Sequence, residues 1–470
     1  MLRTFSTVAS ALCVCLLSMP GQATADLITD ALSGMSANSW QKLNLNTFES
    51  VWTPLAQRPT TASPSSNISA WSGAAWDSRR DNLLIWGGDI GNEEGNEVYS
   101  FSGTTGLWSR GSLPSQITST GGIKHTVDGV MNAPLSGESW DNVVYLQNVD
   151  RMAVIGISRE GQTWRDPSTG LFTGPYFWDP SKADPNKVSG LTGSQVNPGA
   201  FPDVLGGEMW QNRDKPMGGL GHVQGTSAYV NVDGKDVVYV TGLFDSLWRY
   251  TVHDLNPAND TWERIGGRPT SGIDGWGSAA IDLTNNMYLK TLTANSFGFW
   301  DLDRPGSADQ NREIQVIPDV EAGTTPPDFR NFGVEFDPTL GAFFLWDGSS
   351  SVWMLTPPDD LDINDDGILD VATGWKLEEL EVSGVGPQIR PGYTGVYGKW
   401  LYMEEYDAYL GVIDPIAGDV FLYKPFGTDA PDPDPDPDPD PTVPEPGTVV
   451  MLLIGLLGIF AGYKRNQRRA

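Results

Sequence analysis

Cysteine is nearly absent. The 470 residues hold two, Cys13 and Cys15, both within the first twenty positions. If that segment is removed, no thiol remains, so a disulfide framework, a thiolate metal site and a cysteine nucleophile are excluded together. Histidine is almost as scarce, with His125, His222 and His253 the only three. There is no G-x-S-x-G elbow, no phosphate-binding P-loop and no H-E-x-x-H zinc motif. No long stretch repeats its apolar residues every 3.6 positions, which argues against a helical body. Basic charge is short as well, since 30 Lys and Arg face 59 Asp and Glu for a net charge of −29. Such a chain repels nucleic acid and anionic lipid and attracts divalent cations, while the same charge serves simple solubility equally well.

Turn and strand formers are abundant: 54 Gly, 34 Pro, 18 Trp, 14 Tyr and 17 Phe. From Gly73 to Pro114 four short β-branched and aromatic runs are separated by turn residues, as in an up-and-down four-stranded sheet. A sheet that small cannot cover both faces alone, and the pattern recurs, so the spacing predicts an all-β propeller. A second sheet is expected from Gly137–Trp140, Val143–Leu146, Arg151–Ile157 and Pro175–Trp178. The third spans 227–265, the fourth 277–317 and the fifth 333–380. The last segment offers only Gly398–Met403, Tyr409–Ile413 and Asp419–Tyr423. Val51-Trp52 carries a Pro seven residues after its Trp, as the outer strand at Trp262 does. The strand around Trp52 is therefore expected to complete the last blade and close the ring without a covalent link. Six blades over Trp40 to Phe426 means about 64 residues each, more than the ~40–50 of common repeats, so long loops are inserted. Seven blades is the alternative count, with 191–220 as the hidden one.

The two ends read as address labels. Arg3, an apolar run from Val8 to Leu17 and Ala23-Thr24-Ala25 form an export signal over residues 1–25, cut before Asp26 by a signal peptidase. Five Asp-Pro pairs between Asp432 and Pro441 make a stiff spacer over 427–442 that cannot pack a core. Pro444-Glu445-Pro446 follows, then an apolar stretch from Thr448 to Tyr463 and the basic end Lys464 to Arg469. Sixteen apolar residues span ~24 Å as a helix, just enough for a thin bilayer. With the signal gone, and with everything from Pro444 onward gone, 25 basic side chains face 58 acidic ones, a net −33.

The tail over 443–470 resembles the PEP-CTERM sorting signal of Gram-negative bacteria that make exopolysaccharide. The resemblance implies recognition at Pro444, Glu445 and Pro446 by an exosortase-type peptidase. It also implies transient anchoring through 448–463 and a final place at the cell surface or outside the cell. The blades, over 40–426, resemble kelch repeats of galactose-oxidase-like propellers, best in the first blade at Asp77, Gly87-Gly88, Tyr99 and Trp108. The copper chemistry of galactose oxidase requires a Tyr-Cys cofactor, which a mature chain without Cys cannot form, so that activity is excluded.

Candidate chemistry is concentrated in the insertions. Asp362, Asn364, Asp366, the Ile368 carbonyl and Asp370 alternate like the ligands of a calcium loop, with Gly367 at the sharp turn and Thr373 where a bidentate Glu would stand. Calcium is accordingly the one cofactor expected. Trp164, Trp178 and Trp210 could form a platform on which sugar rings stack. His125, His222 and Arg213 are the candidate catalytic groups, expected over the channel. The first functional expectation is a non-enzymatic surface or matrix propeller that binds exopolysaccharide or a surface protein. The second is a carbohydrate-active hydrolase, lyase or epimerase with its site over the channel.

Overall fold

The computed structural model describes residues 26–88, 94–157, 164–193, 204–217, 225–242, 246–267, 277–292, 295–304, 306–321, 324–362, 367–389 and 392–426. The chain divides into two units, Met1–Pro425 and Phe426–Ala470, and the described residues belong almost entirely to the first.

Six antiparallel sheets form a six-bladed propeller. Blade 1 is Gly73–Asp77, Asn82–Trp86, Tyr99–Ser102 and Trp108–Arg110, in that order from the inside out. Blade 2 runs Val143–Leu146, Arg151–Val154, Tyr176–Trp178 and Trp210–Asn212. Blade 3 is Gly225–Val232, Lys235–Gly242, Leu247–Val252 and Thr261–Arg264. Blade 4 is Ala279–Asp282, Met287–Thr291, Phe297–Asp301 and Ile314–Val316. Blade 5 is Gly333–Asp337, Ala342–Trp346, Val352–Thr356 and Lys376–Leu380, with Asp319–Val320 added in parallel outside. Blade 6 contains Trp400–Met403, Ala408–Ile413 and Asp419–Lys424. The apolar clusters lie between neighbouring blades, which is why the middle strands are buried on both faces, as in Leu83 to Trp86 and Phe343 to Trp346.

The ring closes non-covalently, but not with the segment around Trp52. Ser39–Lys42 is the outermost strand of blade 6 and pairs antiparallel with the last strand, Trp40 opposite Tyr423 and Gln41 opposite Leu422. Trp52 instead follows a short 3-10 turn, Phe48–Val51, and packs edge-on against Phe48 at 6.1 Å. Pro54 and Pro59 follow Trp52 and remove N–H donors that a ladder needs. Blade 2 differs from expectation too. Gly137–Trp140 is not one of its strands, and Trp140 takes a left-handed φ of 51°. The innermost strand is Val143–Leu146, and the outermost comes from the long insertion, at Trp210–Asn212. That insertion completes blade 2, and no seventh blade forms among the described residues.

A short helix, Leu27–Gly34, is capped by Asp26, whose carboxylate accepts the Ile28 N–H at 3.4 Å. Ile28 is fully buried against blades 1 and 6.

Candidate functional site

Six inner strands running in one direction leave a channel between them, and the two ends of that channel differ. At the end where the inner strands begin, the blades touch. A Cβ on Gly398 would lie 3.0 Å from Asp141 Oδ1, and one on Gly73 would lie 2.7 Å from the Trp140 carbonyl oxygen. Glycine at these two positions lets blades 1, 2 and 6 meet. Asp141 crosses the gap: its Oδ2 accepts the Ala279 N–H of blade 4 at 2.9 Å, and its carbonyl accepts the Ser227 N–H of blade 3 at 3.0 Å. Lys399 lies at the same end, fully buried. Its Nζ donates to the Ala70 and Ser72 carbonyls at 3.2 and 2.9 Å, tying blade 6 to the chain entering blade 1.

Beyond this plug the channel widens into a cavity of ≈ 440 Å³ touched by all six inner strands. Small residues make the room: Ala74 and Ala75, Ser227 and Ala228, Ala279 and Ala280. Aromatic rings supply the rest of the wall, namely Trp76, Tyr145, Tyr229, Phe336 and Tyr402. Glu335 faces in from the middle of the blade 5 inner strand, and Glu404 and Glu405 stand exposed at the far mouth. Among the described residues, no Lys, Arg or His lines the cavity.

Electrostatics follow from this arrangement. Burial raises Asp141 well above the usual carboxylate range, against the pull of the Ala279 N–H, the Ser278 hydroxyl, the Ser227 N–H and the Lys290 charge. Glu335 keeps some surface open to the lumen but is walled in elsewhere; burial raises it well above its ordinary value, the Asp141 charge adds to the effect, and the Tyr402 N–H opposes it. Burial lowers Lys399 to about 7, with Asp141 acting in the opposite direction.

Other carboxylates around the wide mouth are structural. In blades 2, 3 and 6 an inner-strand tyrosine hydroxyl donates to an aspartate at or just past the following turn: Tyr145 to Asp150 at 2.6 Å, Tyr229 to Asp236 at 2.8 Å, Tyr402 to Asp407 at 2.7 Å. In blades 1, 4 and 5 the strand ends on an aspartate that accepts turn N–H groups, as Asp77 does from Arg79, Asp282 from Thr284 and Asp337 from Thr339. Part of the acid excess is thus spent on holding six turns.

The expected site residues do not gather at the channel. Trp164, Trp178 and Trp210 are buried, at 5%, 1% and 6% exposure, around Trp86 between blades 1 and 2. They offer no open face for a sugar to stack on. Arg213 is not poised for chemistry. It is 1% exposed, pairs bidentately with Asp260 at 2.8 Å through Nε and Nη2, and donates its other N–H groups to Gln211 Oε1 and the Leu255 and Asp254 carbonyls. With all five donors used, it joins blade 2 to blade 3. His125 sits in a side hairpin, Ile117–Thr120 with Ile123–Thr126, bonded to the Thr120 hydroxyl at 3.0 Å and the Thr126 carbonyl at 2.8 Å. His222 lies outside the described residues.

Of the calcium-type loop, Asn364 and Asp366 lie outside the described residues. Asp362 Oδ2 accepts the Gly367 N–H at 2.6 Å, and Gly367 adopts φ 78°. Among the described residues no three acidic, His or Cys side chains gather closely enough to hold a metal. Asp141, Glu335 and Lys399 were missed from the sequence. Glu335 carried a signal, as a lone acid in the middle of a strand otherwise read as core, whereas Asp141 follows a run misread as a strand.

Residues 442–469 match the PEP-CTERM protein-sorting motif. The chain carries a PEP-CTERM sorting motif at its C-terminal end. The motif implies export and sorting to the cell surface by an exosortase. No curated protein matches the chain. Ala23, Ala25, Pro444, Glu445, Pro446 and the apolar stretch 448–463 lie outside the described residues. No helix among the described residues is long and apolar enough to cross a membrane.

Proposed function

We propose that this protein is a surface or matrix propeller that binds carbohydrate, with exopolysaccharide as its partner, in the central channel. One observation carries the reading: an open-mouthed cavity of ≈ 440 Å³, contributed to by every blade, that mixes aromatic walls with a few convergent polar groups. The kelch-like ancestry of the blades rests on blade 1, where Gly87 adopts φ 96° and the Trp108 indole N–H donates to the Gly418 carbonyl at 2.7 Å. Calcium belongs to the same proposal, supported by the Asp362 to Gly367 turn. Calorimetric titration with calcium of the wild type and of Asp366→Ala tests it, and equal heats would remove the site. The test of the main reading is a polysaccharide array probed with the purified full-length chain, with and without calcium. Retention of one glycan class is expected, and retention of none would overturn it.

A second reading, a carbohydrate-active enzyme, draws on a different observation. Asp141 and Glu335 are two carboxylates lining one cavity, both raised above their ordinary range by burial, and the charge of Asp141 raises Glu335 further. New reducing or unsaturated ends released from an array-positive glycan, and lost in Glu335→Gln, would favour it.

A further inference from the structure

The charged side chains that line the channel are of one sign. Its lining contains Asp141, Glu335, Glu404 and Glu405 and, among the described residues, no basic side chain. Asp141 is partly compensated by Lys290 and by neighbouring N–H donors. Glu405 accepts the Trp76 indole N–H at 2.5 Å. Glu335 is different. Burial acts on it most, the charge of Asp141, of the same sign, acts with it, and the Tyr402 N–H opposes both. A carboxyl group walled in by protein and facing a like charge keeps its proton, and an arriving cation favours its ionisation and pairs with the carboxylate that forms. The same cavity is lined by Trp76, Tyr145, Tyr229, Phe336 and Tyr402, and aromatic rings attract organic cations through their faces. The cavity admits one sugar ring but not a folded partner.

We propose that the channel recognises a primary ammonium group on a small ligand, received between Glu335 and the aromatic wall, as an amino sugar of a deacetylated polysaccharide would present it. This rests on the channel being the ligand site of the preceding reading. Burial strengthens an ion pair that would be weak in open water, and the rings exclude the strongly hydrated small cations that the outer acidic surface attracts unselectively. An N-acetylated sugar of nearly the same shape lacks the charge and leaves Glu335 protonated, with no ion pair formed, so the site discriminates between the two forms of one sugar.

The test is calorimetric titration of the full-length chain with glucosamine, N-acetylglucosamine, cadaverine and calcium chloride, each alone. Glucosamine is expected to bind at least tenfold more tightly than N-acetylglucosamine, and Glu335→Gln to weaken it at least tenfold. A glucosamine preference over cadaverine assigns the ammonium to a sugar, and the reverse preference assigns it to an aliphatic amine; both support the site. Glu405→Gln at the exposed mouth, expected to weaken binding about threefold, serves if the Glu335 variant misfolds. Equal binding of the acetylated and free amines, indifference to both variants, or displacement of the amines by calcium would overturn the proposal. A neutral glycan retained on the array and unaffected by Glu335→Gln would leave the carbohydrate reading standing and sink this one alone.

Discussion

Blades 2 and 6 meet the same problem in opposite ways. Each takes its outermost strand from a distant part of the chain: blade 6 from Ser39–Lys42 near the amino end, blade 2 from Trp210–Asn212 beyond a long insertion. Blade 6 secures its strand with rings. Trp40 lies 5.6 Å from Trp346, 5.8 Å from Trp400, 6.2 Å from Phe421 and 5.0 Å from Tyr423, while its indole N–H donates to the Ser350 carbonyl at 2.9 Å. Blade 2 secures its strand with a buried charge. Arg213, just past the strand, is clamped by Asp260 of blade 3, and the Asp260 carboxylate also accepts the Tyr250 hydroxyl. Apolar packing tolerates small adjustments of register, whereas a saturated guanidinium fixes one geometry and penalises any loss of its partner. The closing strand is held by bulk and the inserted strand by specificity.

The largest expected effects lie on these two anchors. Trp40→Ala should destabilise the propeller by about 3–5 kcal/mol in urea unfolding, because it empties the centre of a ring cluster. Trp52→Ala should cost only about 1 kcal/mol, since Trp52 is half-buried outside the blades; similar losses from both would mean that the seam lies elsewhere. Arg213→Ala should cost about 3–5 kcal/mol by stranding Asp260, whereas the double change Arg213→Met with Asp260→Leu should restore most of that loss. If the double variant is no better than the single one, the pair is contributing more than mutual neutralisation.

A smaller effect is expected at Lys399, which joins blade 6 to the approach to blade 1. Its folded value, about 7, lies below its unfolded one, so the unfolded chain binds more protons above pH 7. Stability from this group is therefore present at alkaline pH and lost as the pH falls through about 7. Between pH 7 and pH 9 the wild type should gain about 2 kcal/mol relative to Lys399→Met. Parallel stability curves for the two proteins would show that the ammonium stays charged on its three oxygen acceptors, the two carbonyls and the Ser72 hydroxyl.

Most of the ring was legible in the sequence because a strand buried on both faces writes itself as a continuous apolar run between turn residues. Asn82 to Trp86, Lys235 to Gly242 and Ala408 to Ile413 are of this kind. Outer strands were less legible: Trp210–Asn212 has three residues, and Ser39–Lys42 has four with a single large apolar side chain. Trp52 misled because a tryptophan followed by proline marks both an outer strand and a tight turn. The site was scarcely legible at all. Trp164, Trp178, Trp210 and Arg213 looked like loop chemistry because their burial is created by blade packing, which no local pattern reports. Asp141 and Glu335 come together only across the channel, 194 positions apart in the chain.

Ring closure by the Ser39–Lys42 strand can be tested directly in a chain begun at Asp26, which has no thiol of its own. Ser39→Cys with Lys424→Cys introduces two thiols at directly paired positions, and oxidation followed by peptide mass mapping reads their fate. The expected result is a near-complete disulfide between the two introduced thiols, with retained fold and a raised unfolding midpoint. Free thiols after oxidation of the folded protein, or efficient bridging when Lys424→Cys is combined with Trp52→Cys instead, would contradict the closure described.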